Sequence, residues 1–290
     1  MKKIKIIALF LTTLIIASCS NNDDAPITSE NNIDYFNFSK ENQNIVVGTW
    51  KAYRTENNIE VLGNAADGTG VYGSFNKFGN IIRIGTIPAS GAFGDRNNYQ
   101  NFSSNYFNFS LASLDEANKR VTVTFSGKVY ENEYNLTSPS NNITGSFSVK
   151  YTDVVPTNPG IETFAKINGI DFHSATGGLS STGGASNLEL YYHNGSQYRI
   201  SVYINLNSTT AGSYNFTPST LNNKVILSKY NTSTHNFDNF NCTGNLNISE
   251  KTTTFGYTYI VSTFNLSAVS PTGGPTIQVT NGTQKDFFQY

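Results

Sequence analysis

Tyr198-Arg199-Ile200-Ser201-Val202-Tyr203-Ile204-Asn205-Leu206 is the stretch that decides the fold. Tyr198, Ile200, Val202, Ile204 and Leu206 are apolar, and the residues between them are mostly polar. A period of two gives a strand with one buried and one wet face. The same alternation returns in Val121, Val123, Phe125 and Val129, set against Thr122, Thr124, Ser126 and Lys128. It returns again in Ile143, Phe147, Val149 and Tyr151, set against Thr144, Ser146, Ser148 and Lys150. Phe107, Phe109 and Leu111, then Phe264, Leu266 and Ala268, then Ile277 and Val279 continue it. Gly, Asn and Pro clusters separate these runs, as antiparallel turns require. Asn194-Gly195, between Leu188–His193 and Gln197–Leu206, is a hairpin signal. No long helical period competes; Ser113–Arg120 reads as a short helix or equally as a turn after a strand. The chain is therefore all-β, of sandwich or barrel class.

Val154-Val155-Pro156-Thr157-Asn158-Pro159-Gly160 breaks the pattern, because two prolines and a glycine resist both helix and ladder. It reads as a linker (154–160) between two antiparallel β domains in tandem, residues 33–153 and 161–290. Both are of ordinary domain size. The halves echo each other: Phe109–Ser113 and Asn142–Phe147 in the first, Gly244–Ser249, Thr263–Ala268 and Ile277–Thr283 in the second. These echoes read as a diverged duplication, or as chance likeness between two β domains rich in Asn, Ser and Thr.

The N-terminus carries an address. Lys2, Lys3 and Lys5 precede an apolar run, Ile6–Ile16, and Ile16-Ala17-Ser18-Cys19 closes it. The run is too short for a spanning helix, which needs about 20 residues. Small residues directly before a cysteine mark a cleavage site. The segment resembles the type II signal of bacterial lipoproteins. That resemblance implies removal of residues 1–18 and acylation of Cys19, hence a membrane anchor through lipid. Two or more acyl chains hold firmly where one is marginal. Residues 19–32 then form a polar, flexible tether. Within it Ser20-Asn21-Asn22-Asp23-Asp24 resembles, in part, the surface-export signal of Bacteroidetes lipoproteins, with Asn21 and Asn22 at positions often acidic there. The expected location is the outer membrane, facing the cell surface; the periplasmic face is the alternative.

Composition narrows the function classes. Loss of Lys2, Lys3 and Lys5 leaves 16 Lys+Arg against 20 Asp+Glu, a net charge near −4. Without a basic surplus, nucleic acid is not an expected partner. Charged residues make up only 13% of the chain, so neutral polar and aromatic side chains cover the strands. With Cys19 committed to lipid, Cys242 has no disulfide partner and reads as a small buried hydrophobe. His173, His193 and His235 share no metal-ligand spacing, and Asn64–Gly70 offers one carboxylate where calcium needs a cluster. No metal or other cofactor is expected. Glu131 and Glu133, and the pair Asp115-Glu116, read as solvated rather than as a hydrolytic pair. There is no nucleophile elbow and no phosphate loop before a helix. No catalytic residue is assigned. Tyr191 and Tyr203 fall on the polar faces of their strands and are candidate platforms for stacking on sugar rings, or simply cross-strand partners.

Phe164–Phe172 with its Asn168-Gly169, Ala211–Phe216, the Gly244–Ser249 and Thr263–Ala268 strands, and Val279-Thr280-Asn281-Gly282-Thr283 follow one another in an order that resembles an uncharacterised Bacteroidetes lipoprotein domain family. The resemblance covers roughly residues 161–288. It implies a small antiparallel β domain at the cell surface and carries no catalytic residues. In the first half, Gly48-Thr49-Trp50 resembles the Gly-x-Trp opening of lipocalin-like barrels, which implies an interior ligand. The expected function is a non-catalytic module binding a glycan or an envelope protein. The alternatives are a lipocalin-like carrier of a small apolar ligand and an envelope hydrolase.

Overall fold

The computed structural model describes residues 33–89, 94–181 and 184–290. The signal segment 1–18, Cys19, Ser20–Asp24 and the tether to residue 32 lie outside the described residues. Asp34–Tyr290 fold as one compact unit, built almost wholly of antiparallel strands, so the chain is all-β.

The first half contributes β1 (Tyr35–Lys40), β2 (Gln43–Val46), β3 (Thr49–Thr55), β4 (Asn58–Asn64), β5 (Gly70–Asn76), β6 (Ile81–Ile87), β7 (Arg96–Asn98), a single helical turn α1 (Ser103–Tyr106), β8 (Phe107–Asp115), β9 (Arg120–Tyr130), β10 (Ser140–Lys150) and β11 (Thr152–Asp153). These eleven strands make one sheet in the order β11-β3-β4-β5-β6-β7-β9-β10-β1-β2, with β8 on β9. Its course explains its shape. β10 passes through Tyr151 straight into β11, and β11 pairs in parallel with β3, Thr152 opposite Tyr53 and Asp153 opposite Arg54. A strand near one end of the order is thereby tied to a strand near the other, and the sheet curls back on itself. The inward phase of the alternation fills the curl with Phe36, Phe38, Phe75, Phe107, Phe125 and Phe147, all buried. Phe36 stacks on Phe147 at 5.0 Å between ring centroids, and Phe75 and Phe125 also meet Phe147. The gap left between Phe36, Phe75, Phe109 and Phe147 has no room for a water molecule.

The second half contributes β12 (Glu162–Ile167), β13 (Ile170–His173), β14 (Thr176–Ser181), β15 (Leu188–His193), β16 (Tyr198–Ile204), β17 (Gly212–Phe216), β18 (Lys224–Asn231), β19 (Asn236–Asn239), β20 (Asn241–Thr254), β21 (Tyr257–Val269) and β22 (Ile277–Gln289). They form two sheets, β13-β12-β22-β21-β20-β17 and β14-β15-β16-β18-β19. The inner faces meet through Leu190, Val202 and Leu227 on one side and Leu246, Ile260 and Phe264 on the other. Each such side chain contributes about 1.5–3 kcal/mol by leaving water. Asn168 links the opening and closing motifs of this half. Its backbone N–H donates to Gln278 O, and its Oδ1 accepts from Gln278 N, both at 2.8 Å.

Of the two readings of Ser113–Arg120, the turn after a strand is the one that forms: β8 runs to Asp115, whose Oδ1 accepts from Asn118 N at 2.9 Å, and Lys119 turns the chain in the left-handed region before β9. The halves, read as echoes of each other, have different topologies, one curled sheet against two stacked ones.

The halves are in contact. Tyr99 Oη and Tyr230 Oη share a hydrogen bond of 2.7 Å inside a cluster with Tyr130, Phe102, Tyr106 and Phe237. The β15–β16 turn joins this seam, since Ser104 N donates to Gly195 O at 3.0 Å. Gly195 takes a positive φ and lies so close to Ser103 that a Cβ would overlap its hydroxyl, so the Asn-Gly pair serves both the hairpin and the docking. Further along, Phe78 stacks on His173 at 3.4 Å, and Asn57 Nδ2 donates to Glu162 Oε2 at 3.0 Å.

Candidate functional site

The outward phase of β3 to β6 builds a groove on the outer face of the first half. In β3 the even positions point in, and Lys51 and Tyr53 point out; in β4 Glu60 and Leu62 point out, and in β5 Tyr72 and Ser74. The register puts Lys51, Leu62 and Tyr72 in one row, and Tyr53, Glu60, Ser74 and Arg83 in the next. The row of Tyr72 continues to Gly85 on β6 and Asn97 on β7. A Cβ on Gly85 would overlap Arg96 O and Asn97 Oδ1 and stand 2.9 Å from Tyr72 Oη. Glycine there lets the Tyr72 side chain lie across the sheet, with its hydroxyl donating to Asn97 Oδ1. The Tyr72 ring forms the floor of a groove.

Its walls come from further along the chain. The turn after β9 brings Tyr134, 59% exposed, to the rim, and Tyr53 stands 43% exposed on the far side. The turn is held down by Glu133, whose Oε1 takes the Arg83 guanidinium at 2.6 Å. Asn132 Oδ1 accepts Tyr134 N at 3.0 Å and fixes the turn locally. Ile82, Ile87 and Leu62 supply apolar floor, Lys51, Glu60 and Asp95 the polar margin, and Thr176 closes the side nearest the second half. The groove encloses ≈ 620 Å³. Burial, then Glu133 and Asp95, push the Tyr72 hydroxyl above its ordinary pKa. Burial, then Glu133 and Tyr191, do the same for Tyr134. Both therefore stay protonated as hydrogen-bond donors at neutral pH.

The two tyrosines singled out from the sequence sit elsewhere. Tyr191 and Tyr203 are diagonal neighbours on the outer face of the five-stranded sheet, since Tyr191 pairs Ser201 and Tyr203 pairs Glu189. Both are half-buried and already carry a cation over the ring, Arg199 at 5.6 Å from the Tyr191 centroid and Lys224 at 5.3 Å from that of Tyr203. Neither lines the groove. Tyr53, Tyr72 and Tyr134 were missed by the sequence reading. Tyr53 and Tyr72 carry the same signal as Tyr191, an aromatic residue in the outward phase of a strand.

The other marked residues have local roles. His173 Nδ1 meets Glu162 Oε1 at 2.7 Å. Burial, then Arg199, lower the pKa of His193 to about 4, so it is neutral at pH 7. His235 Nδ1 lies 3.2 Å from Tyr230 Oη. Among the described residues no three His, Cys, Asp or Glu side chains converge as a metal site. Cys242 is buried, its Sγ accepts from Leu227 N at 3.3 Å, and burial pushes its thiol pKa up. Trp50 packs at 6.5 Å on Phe36, against the filled interior of the curl.

Comparisons with family models, with curated proteins and with solved structures returned no match.

Proposed function

We propose that this protein is a lipid-anchored envelope lipoprotein, exposed at the cell surface, that acts as a non-catalytic module binding neutral glycan chains in the groove of Tyr53, Tyr72 and Tyr134. The observation that carries the reading is the groove itself. Three tyrosines offer flat apolar faces with hydroxyl tips, the combination that stacks on a sugar ring while hydrogen-bonding its rim. Lys51, Glu60, Arg83 and Asp95 line the groove beside them and offer hydrogen-bonding groups to sugar hydroxyls. An open trough suits a chain that runs through it better than a small molecule that must be enclosed. The phenylalanine packing inside the curl favours this surface over an interior carrier site behind Trp50.

The anchor part of the proposal rests on Lys2–Cys19 and on the polar cluster Ser20–Asp24. Proteinase K treatment of intact cells tests it: loss of the protein while a periplasmic control survives is the expected result. Protection until the envelope is broken refutes the surface assignment. The glycan part is tested by affinity electrophoresis in gels containing neutral polysaccharides. Retardation that disappears in Tyr53→Ala and Tyr134→Ala, both exposed positions, is expected. Retardation unchanged in both variants, or none with any polysaccharide, overturns it.

A further inference from the structure

A second cavity, of ≈ 350 Å³, opens at the seam between the halves. Its mouth is framed by Glu56, Asn57 and Asn58 at the β3–β4 turn and by Gly160 and Glu162 at the start of the second half. Inside, Leu179, Leu190 and Phe288 give apolar walls where the two sheets part. Three polar side chains converge on the same space: Thr163, Tyr192 and Asp286.

The polar groups are ordered in one direction. Ser262 Oγ donates to Gln284 Oε1 at 2.7 Å, and Gln284 Nε2 donates to Tyr192 Oη at 2.6 Å. Tyr192 then donates to Asp286 Oδ2 at 2.5 Å, and Phe287 N donates to Asp286 Oδ1 at 2.7 Å. The relay ends on a carboxyl group that forms no ion pair with any of the described residues. Burial raises the pKa of Asp286, and no cation counters it. Lys285, next along β22, stands at the mouth beside Gly160, with its ammonium 5.8 Å from the Tyr259 ring centroid and no ion pair to Asp286. Thr163 is 0% exposed, and its Oγ1 has no hydrogen-bond partner, although it lies near the Tyr192 hydroxyl. A half-buried carboxylate without an ion pair and a buried hydroxyl without a partner are both costly. Glu56 and Glu162 at the mouth add negative potential, against the single cation Lys285.

We propose that this cavity binds an organic ammonium ion, a primary amine on a small apolar body, with the ammonium donating to Asp286 and to Thr163 Oγ1 and the apolar part lying against Leu179, Leu190 and Phe288. The ligand supplies the ion-pair partner that Asp286 lacks, and the apolar walls strengthen the charge-assisted hydrogen bonds by excluding water. This site is separate from the tyrosine groove and does not depend on it.

Calorimetric titration of the full-length protein at neutral pH with n-hexylamine and with its neutral isostere 1-hexanol is the test. The amine is expected to bind about tenfold or more tighter than the alcohol, the difference one charge-assisted hydrogen bond supplies. In Asp286→Asn that preference is expected to vanish, and in Thr163→Val amine affinity is expected to fall severalfold with some preference kept. Equal binding of amine and alcohol to the wild-type protein overturns the charge argument. Binding of neither overturns the site, and an undiminished preference in Asp286→Asn overturns the role of that carboxyl. Should Asp286→Asn fail to fold, the wild-type pair of titrations and Thr163→Val decide the matter.

Discussion

The two halves bury similar alternating strands in opposite ways. The first rolls a single sheet around phenylalanines and ties its ends with the short β11–β3 pair. The second stacks two sheets over aliphatic side chains such as Leu190, Val202, Leu246 and Ile260. Rolling leaves the convex outer face free, and the tyrosine groove forms there. Stacking leaves two outer faces, and part of one is used to dock on the first half through Tyr230 and the Gly195 turn. The seam between the halves is polar and aromatic, with shared hydroxyls where the cores have methyl groups. That seam makes the halves one cooperative unit or leaves them to unfold apart.

The largest effects come from the cores. Phe147→Ala in the curl and Phe264→Ala in the sandwich each remove a buried ring, at about 3–5 kcal/mol. Trp50, the only tryptophan, lies in the first half and reports on it alone. Urea unfolding followed by Trp50 fluorescence is expected to shift to lower denaturant in Phe264→Ala as well as in Phe147→Ala, because the seam couples the halves. A Trp50 transition that ignores Phe264→Ala breaks the single-unit description.

Acid is expected to act on the second half next. His193 is held neutral in the folded state, with its pKa depressed from 6.5 to about 4. The unfolded chain binds the extra proton first, so its contribution to stability is complete above pH 6.5. It is lost as pH falls from 6.5 towards 4, by about 3 kcal/mol in all. His193→Gln is expected to flatten that part of the stability–pH curve, measured by chemical denaturation at a series of pH values. An unchanged slope would mean that His193 finds a partner when protonated.

Gly85→Ala sharpens the contrast between the inner and outer faces. The added methyl meets backbone at Arg96 O, so relief requires β7 to move, at a cost of about 1–3 kcal/mol. The same methyl also displaces Tyr72 from the groove floor. Glycan retardation is expected to weaken in Gly85→Ala while the inner core, probed by Trp50, stays packed. Full retention of binding would show that Tyr72 is not part of the site.

How much of this was legible in the sequence follows from what each feature depends on. Strand phase is local, so Tyr198–Leu206 yields β16 and its buried face directly. The Asn194-Gly195 turn is equally local. Sheet order is not: nothing in Thr152-Asp153 announces a parallel pair with Tyr53 and Arg54. The break at Lys119 turns on a positive φ rather than on composition, which is why Ser113–Arg120 read as helix or turn. The groove was half legible. Tyr53 and Tyr72 stand in the outward phase of their strands, but Tyr134 lies in a turn, and only folding brings the three together. Tyr191 and Tyr203 satisfy the same rule, yet Arg199 and Lys224 already occupy their rings. Phase tells which side a residue faces; it does not tell what stands over it. The Asp286 cavity was invisible, because Thr163, Tyr192 and Asp286 come from three separate strands and lie on inner faces, where polar side chains break the pattern.

The smallest expected stability effect separates holding the fold from shaping the site. Arg83 and Glu133 form a close pair at 2.6 Å, but the Arg83 side chain is 44% exposed, so water and salt screen it. Arg83→Ala is expected to cost less than about 1 kcal/mol in urea unfolding. Its effect on binding is expected to be larger, because the pair pins the turn that carries Tyr134 to the rim. Tyr134 gains its stacking value only when its ring is held in one orientation, since each freed side chain must be ordered again on binding. Glu133→Gln keeps a hydrogen-bonding oxygen opposite Arg83 and is expected to retain much of the affinity that Arg83→Ala loses. If both variants bind as the wild type does, the rim tyrosine contributes nothing, and the groove reduces to Tyr53 and the floor beneath it.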